Sequence, residues 1–246
     1  MQGGKWRASF RPLNDAIIAG RIRGVVGLAG CDNPRVPSTG LHRFLAIELI
    51  KNDVLIVSTG CGSAACGTAG YLRPEAALEM AGPGLREVCE TVGIPPVLHL
   101  GACVDNSRIL TIASAMAAEG GLSDEIGGMQ AVGIAPEWMS EKAIAIGCYF
   151  AASGVPVIFG GESPVSASKE VTKIMTEVWF ERFKGCLIFE PDPEKILTMT
   201  LEFIDKARAE LKLRPYEPGR FGTERVLMDM AARREIEKGA KPHMGV

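Results

Sequence analysis

Three cysteines follow directly on three short apolar runs. Cys31 follows V-V-G-L-A-G, Cys61 follows V-L-I-V-S-T-G, and Cys103 follows P-V-L-H-L-G-A. Such runs, rich in β-branched residues, predict buried strands, and the helical patterns after them indicate a parallel α/β sheet. The carboxyl ends of parallel strands meet at one edge, where ligands bind, so we expect the three thiols to converge. Thiolates gathered at one point suit an iron–sulfur cluster or another thiophilic metal.

The other four cysteines fall where core packing is the simpler explanation. Cys89 and Cys148 lie inside predicted helices among apolar residues, and Cys186 opens a predicted strand. Cys66 follows Cys61 by about one helical turn, so we expect a spare thiol close to the site. The sequence has no C-x-x-C pair and no His/Cys spacing typical of zinc.

The turn that contains Cys61 also resembles a nucleotide-binding turn. G-C-G-S-A-A at residues 60–65 matches the pattern G-x-G-x-x-A after a strand, which is a weak signal for dinucleotide binding. No acidic residue ends the next predicted strand, and a cysteine in the turn would crowd a pyrophosphate. A dinucleotide-binding oxidoreductase domain therefore stays as a weaker alternative.

One lysine stands where it could stabilise negative charge. Lys142 lies in W-M-S-E-K-A, at the start of the helix predicted after the fourth strand, and residues 143–152 are almost wholly apolar. A lysine at the mouth of a buried helix on the ligand edge is a candidate for charge stabilisation. The alternative is a solvated lysine paired with Glu141 or another acid.

The histidines offer no obvious proton shuttle. His99 falls inside a predicted strand and is expected to be a core residue with its hydrogen bonds satisfied. His42 is predicted on the surface of a helix, and His243 lies in the C-terminal tail.

Length and composition bound the class of protein. The chain has 246 residues, 47% of them hydrophobic, a net charge of −2 and seven cysteines. The charge and the lack of a basic block argue against a nucleic-acid partner. No apolar stretch predicts a membrane span, and no signal-peptide core is visible, so a cytoplasmic protein with reduced thiols is expected.

Strand and helix patterns alternate through six units. The fold class predicted is α/β, a parallel sheet of about six strands with helices on both faces, Rossmann-like. A helical pattern covers residues 64–80, with Pro74 expected to start its second half, another covers 136–153, and Ser107 is a candidate N-cap of a third helix. One α/β cluster-binding domain is expected over residues 1–213, with 214–246 as a linker and a helix at 223–238 packed on the same domain. The predicted strands are 22–28, 53–58, 96–100, 130–134, 156–159 and 186–189.

Six longer strings in the chain are distinctive. They are V-G-L-A-G-C-D-N-P at 26–34, N-D-V-L-I-V-S-T-G-C at 52–61, G-Y-L-R-P-E-A at 70–76, G-I-P-P-V-L-H-L-G-A-C-V-D-N-S-R at 93–108, A-P-E-W-M-S-E-K-A at 135–143 and F-E-P-D-P-E-K at 189–195. These strings resemble those of one enzyme family, the anaerobic nickel–iron–sulfur carbon monoxide dehydrogenases. The likeness runs from about Leu13 to Leu211, and G-A-C-V-D-N-S-R and P-E-W-M-S-E-K are its most specific strings. The chain resembles the third, C-terminal domain of the catalytic subunit, of the carbon monoxide dehydrogenase and hybrid-cluster fold type.

The resemblance implies roles for five residues. Cys31 and Cys61 match cysteines that bind the iron–sulfide portion of a nickel–iron–sulfur cluster of the 4Fe-4S type, and Cys103 matches the nickel ligand. Lys142 matches the lysine that donates a hydrogen bond to the substrate-derived carboxylate. Ile146 matches an apolar residue beside the site where CO arrives. The implied reaction is oxidation of CO with water to CO2, or its reverse, with electrons passed to a ferredoxin-like acceptor.

The same resemblance implies missing parts. The family's catalytic subunit carries an N-terminal helical region and a middle domain that supply further cysteines and a histidine, forms a homodimer, and is more than twice this length. This chain would hold about half of the cluster ligands, as a fragment or a split subunit, and is expected to be inactive alone. An acetyl-CoA synthase partner stays open. The alternative from another class is a non-enzymatic metal-binding module, a remnant of that enzyme.

Overall fold

The computed structural model describes residues 10–32 and 40–221. Its centre is one parallel sheet of six strands in the order β3-β2-β1-β4-β5-β6, which is the order of doubly wound nucleotide-binding folds. The predicted six-strand parallel sheet is therefore confirmed. The strands are β1 (Gly24–Leu28), β2 (Val54–Ser58), β3 (Val97–His99), β4 (Ala131–Ala135), β5 (Val157–Gly160) and β6 (Leu187–Glu190).

Ten α-helical segments surround this sheet in the described ranges. Between α8 and α9 the helix continues as one π-helical stretch, Ile174–Val178, so the three segments follow one another without a break. The segments are α1 (Arg11–Ile18), α2 (Gly40–Lys51), α3 (Gly60–Thr68), α4 (Glu75–Met80), α5 (Pro83–Val92), α6 (Asn106–Ala118), α7 (Glu141–Ala152), α8 (Lys169–Lys173), α9 (Trp179–Phe183) and α10 (Pro193–Glu210).

The helices cover both faces of the sheet, as the sequence predicts. Two glycines of the central region show the alternation of faces. A Cβ built on Gly24 would lie 2.6 Å from the side chain of Ile204 in α10, whereas one built on Gly27 would meet Ile109 of α6 at 3.8 Å. All five residues of β2 are buried, as expected for a strand covered on both sides.

Three local expectations were wrong. The pattern at 64–80 is two helices, because Gly70 turns the chain with a φ of +82° before Pro74, and the first of them begins already at Gly60. The helix predicted from 136 begins at Glu141. Ser107 lies inside α6, and the N-cap of that helix is Asp105. The predicted helix at 223–238 lies outside the described residues.

A buried arginine ties the last described segment to the amino-terminal edge of the sheet. Arg208 of α10 is 1% exposed. Its guanidinium donates to the carbonyl oxygens of Ile17 (2.9 Å), Arg23 (3.1 Å) and Arg214 (2.6 Å). Carbonyls that would otherwise be buried without a donor are satisfied in this way. No helix in the part of the chain that the structure describes is long and apolar enough to cross a membrane.

We predict that replacing Arg208 by methionine destabilises the fold. The substitution R208M keeps the volume but leaves several buried carbonyls without donors, so the free energy of unfolding should fall by roughly 3 kcal/mol or more. Urea unfolding followed by circular dichroism measures this. Arg182 is an exposed arginine at the end of α9 and is the control. Equal urea midpoints for R208M and R182M would contradict the assignment.

Candidate metal-binding edge

The register of three neighbouring strands sets the positions of the three cysteines. Leu28 pairs with Ser58, and Ser58 pairs with His99, so these residues form one row across β1, β2 and β3. Cys31 and Cys61 each follow this row by three residues, and Cys103 follows it by four. The three thiols therefore leave adjacent strands at nearly the same level of the sheet's carboxyl edge.

Hydrogen bonds continue across the strands beyond the sheet. Ser58 Oγ donates to the carbonyl oxygen of Leu28 at 2.6 Å. The backbone amide of Leu100 donates to Ser58 O at 2.9 Å, and that of Gly60 donates to Gly101 O at 3.0 Å. The three segments that carry the cysteines are thus joined to one another just before the cysteines begin.

A glycine with positive φ stands before each cysteine. The φ angles are +109° at Gly30, +58° at Gly60 and +126° at Gly101, a region that side chains with a Cβ avoid. A Cβ on Gly60 would lie 3.2 Å from Cβ of Cys103, so the turn that precedes Cys61 touches Cys103 directly. These glycines let the chain turn sharply from each strand and bring Cys61 and Cys103 into adjoining loops.

An amide side chain that the sequence analysis missed joins the same two loops. Asn106 is buried, and its Oδ1 accepts a hydrogen bond from Thr59 Oγ1 at 2.6 Å. Its Nδ2 donates to the carbonyl oxygen of Cys103 at 2.8 Å. The only signal in the sequence was its place in C-V-D-N-S-R, and the pairing with Thr59 depends on the strand register.

The environment separates the three edge thiols from the others. Cys61 and Cys103 are exposed and Cys31 is partly exposed. Burial raises the pKa of Cys66, Cys89 and Cys186 to about 12, and it raises the pKa of Cys148 on α7. These four thiols are therefore held protonated at neutral pH. Cys66, Cys89 and Cys186 are buried, as predicted; Cys148 is only partly covered.

The chemistry of the three edge cysteines is that of ligands to a polynuclear cluster. Within residues 10–32 and 40–221, no three His, Cys, Asp or Glu side chains lie close enough to bind one metal ion. A cluster needs one thiolate for each of several metal atoms, so its ligands stand further apart than those of a mononuclear site. Three soft, accessible donors on adjacent strands meet that need.

Lys142 and Ile146 are placed by the fourth strand. β4 lies next to β1. In the loop after β4, the carbonyl oxygen of Glu137 accepts a hydrogen bond from the backbone amide of Cys31 at 2.8 Å. Lys142 is the second residue of α7 and is exposed. Its ammonium forms no ion pair or hydrogen bond with any residue of the described ranges, Glu141 included. Ile146, one turn further along α7, is half-buried against a smaller apolar cluster.

The expectations for two histidines were wrong. His42 is fully buried, because the face of α2 that carries it packs against the loop after β1 and the start of α3. His99, the last residue of β3, is exposed, and its Nδ1 lies 2.6 Å from Ser63 Oγ. Both side chains thus contact loops that carry the cysteines, whereas His243 lies outside the described residues.

Fold and edge together define a class: a doubly wound α/β domain with cysteines at the ends of three adjacent parallel strands. The model of the Prismane/CO dehydrogenase family matches residues 3–194, and the chain belongs to this family. The resemblance inferred from the sequence is thereby confirmed.

Individual relatives agree with this membership. The chain is 48% identical to carbon monoxide dehydrogenase 1 of Methanosarcina mazei over 202 residues, which are 82% of this chain and 32% of that protein. It is 37% identical to carbon monoxide dehydrogenase 2 of Carboxydothermus hydrogenoformans over 212 residues, which are 83% of this chain and 33% of that protein. The chain thus spans about a third of the length of these relatives.

Solved structures match over the same share. A nickel-free carbon monoxide dehydrogenase from Thermococcus sp. AM4 superposes with a TM-score of 0.79 at 45% identity, covering 84% of this chain and 32% of that one. An acetyl-CoA synthase/carbon monoxide dehydrogenase structure, described by its NiZn[Fe4S4] and NiNi[Fe4S4] clusters, gives 0.78 at 35% identity, covering 82% and 31%.

We predict that alkylation separates the two groups of thiols. At neutral pH, Cys61 and Cys103 should react with N-ethylmaleimide roughly a hundredfold or more faster than Cys66 and Cys89, because burial makes Cys66 and Cys89 inaccessible and raises the pKa of each to about 12. Time-resolved peptide mass spectrometry of the folded, metal-free chain measures the rates. Labelling of Cys66 as fast as that of Cys61 would show that the site is built differently.

Proposed function

We propose that this chain contributes its carboxyl edge to the nickel–iron–sulfur centre of a carbon monoxide dehydrogenase. Cys31 and Cys61 bind iron and Cys103 binds nickel. The observation that carries the proposal is the shared row of Leu28, Ser58 and His99, from which the three thiols follow at nearly equal spacing. Family membership and accessible thiols support it.

Lys142 stabilises the charge that develops on the substrate. The bound cluster would supply the two-electron chemistry that converts CO and water to CO2. The Lys142 ammonium has no partner in the described part of the chain, so it is free to donate hydrogen bonds to carboxylate oxygens as negative charge grows on them. Ile146, half-buried one turn along the same helix, provides an apolar wall where CO arrives.

The remaining ligands and the path for electrons come from outside this chain. Because the chain spans about a third of its relatives, the full activity requires the helical and middle domains, on the same or another polypeptide, and a homodimer of the whole. Electrons pass to a ferredoxin-like acceptor, and an acetyl-CoA synthase can attach. A metal-binding module without turnover is the outcome if the restored assembly holds metal but does not oxidise CO.

A chimera tests the proposal. The corresponding third of the Methanosarcina mazei relative, 48% identical, is replaced by this chain, and the protein is purified anaerobically. We expect nickel and iron contents close to those of the parent enzyme and CO-dependent reduction of methyl viologen, while this chain alone gives none. A folded chimera that holds both metals but has no activity would contradict the enzymatic proposal.

In an active chimera, we predict that two substitutions separate charge stabilisation from metal binding. Lys142→Ala should lower turnover by about 10²–10³ and leave nickel and iron near normal, because the ammonium contacts substrate and not metal. Cys103→Ala should lose nickel and activity together. Lys169, an exposed lysine at the first position of α8, is the matched control. Near-parent turnover of K142A would show that Lys142 is only a solvated lysine.

A further inference from the structure

A buried histidine contacts the loops of two cysteines. The His42 side chain is fully buried, and its Nε2 lies 3.2 Å from the carbonyl oxygen of Ala29, two residues before Cys31. A carbonyl oxygen only accepts, so Nε2 carries the proton and donates. Burial lowers the pKa of His42, which keeps the ring in this neutral form.

The first turn of α3 packs on the same imidazole. A Cβ built on Gly62 would lie 3.1 Å from His42 Cδ2 and 3.2 Å from Ala29 O. Gly62 directly follows Cys61, so only a residue without a side chain permits this approach. His42 thus lies between the loop that carries Cys31 and the turn that carries Cys61.

A second histidine holds this turn from the other side. Ser63, 1% exposed, lies in the first turn of α3, and its Oγ is 2.6 Å from Nδ1 of His99. His99 ends β3, four residues before Cys103. The hydrogen bond therefore links the helix of Cys61 to the strand that leads to Cys103.

We propose that His42 and His99 are positioning residues, which hold the first turn of α3 between the other two cysteine loops and so set the spacing of the three thiols. This inference rests on the proposed function, because the spacing matters for a shared cluster. Neither imidazole is placed among the metal ligands. Each acts through the backbone or hydroxyl group that it binds.

The two hydrogen bonds use different ring nitrogens, which gives matched rescue variants. The amide nitrogen of glutamine reaches the position of Nε2, and the amide group of asparagine reaches that of Nδ1. H42Q and H99N should therefore retain the tethers. H42N and H99Q also carry an amide group, but it does not reach the position of the ring nitrogen that makes the hydrogen bond. H42L and H99L carry no hydrogen-bonding group.

The test is hydrogen–deuterium exchange of the full 246-residue chain without metal, read on the peptide spanning residues 59–66. H42L, H42N, H99L and H99Q should each speed exchange there about fivefold, the effect of losing one ordinary hydrogen bond, and H42Q and H99N should match the unmodified chain. Peptides of β1 and β2 report global unfolding. If H42L does not fold, the H99L, H99Q and H99N variants of the exposed residue His99 decide the outcome.

The proposal would be overturned if exchange is unchanged in H42L and H99L. It would also be overturned if H42N rescues as well as H42Q, or H99Q as well as H99N. A second readout is the electron paramagnetic resonance spectrum of the chimera, whose g-values should shift in H99Q and return in H99N. Unshifted g-values in H99Q would also overturn it. Failure of the chimera to bind metal, with exchange as expected, counts against the proposed function and leaves the tethers supported.

Discussion

In-register parallel pairing of β1, β2 and β3 is the constraint on which the candidate site depends. Backbone hydrogen bonds between these strands place Leu28, Ser58 and His99 in one row. Since the chain leaves each strand after the same row, Cys31, Cys61 and Cys103, which are 30 and 42 positions apart in sequence, follow from one level of the sheet. A one-residue slip of β2 would move Cys61 to a different level and turn alternate side chains to the other face.

Contacts other than the backbone pairing of the strands also hold the carboxyl edge of the sheet together. Ser58 joins the ends of β1 and β2, Asn106 and the two histidines contact the segments that carry the cysteines, and Gly60 and Gly62 allow those segments to approach closely. The cysteines at the edge, which are exposed or partly exposed, differ in environment from Cys66, Cys89 and Cys186, which are buried.

The strands that carry the three cysteines, and the edge at which those strands end, were predictable from short stretches of the sequence. The apolar runs before Cys31, Cys61 and Cys103 identify strands, and parallel topology brings their ends together. The start of α3 was not predictable, because G-C-G-S has little helical propensity and is held by its neighbours. The burial of His42 depends on which face of α2 meets α3, and the Thr59–Asn106 bond depends on register, so neither follows from spacing in one sequence.

The most direct measurement is anomalous X-ray diffraction at the nickel and iron edges from crystals of the metal-loaded chimera. We expect one cluster, with nickel bonded to Sγ of Cys103 and two different irons bonded to Sγ of Cys31 and Cys61. Metal–sulfur bonds should be close to 2.3 Å, the length typical of zinc thiolates. Nickel or iron bound away from the ends of β1, β2 and β3, or these cysteines divided between separate centres, would contradict it.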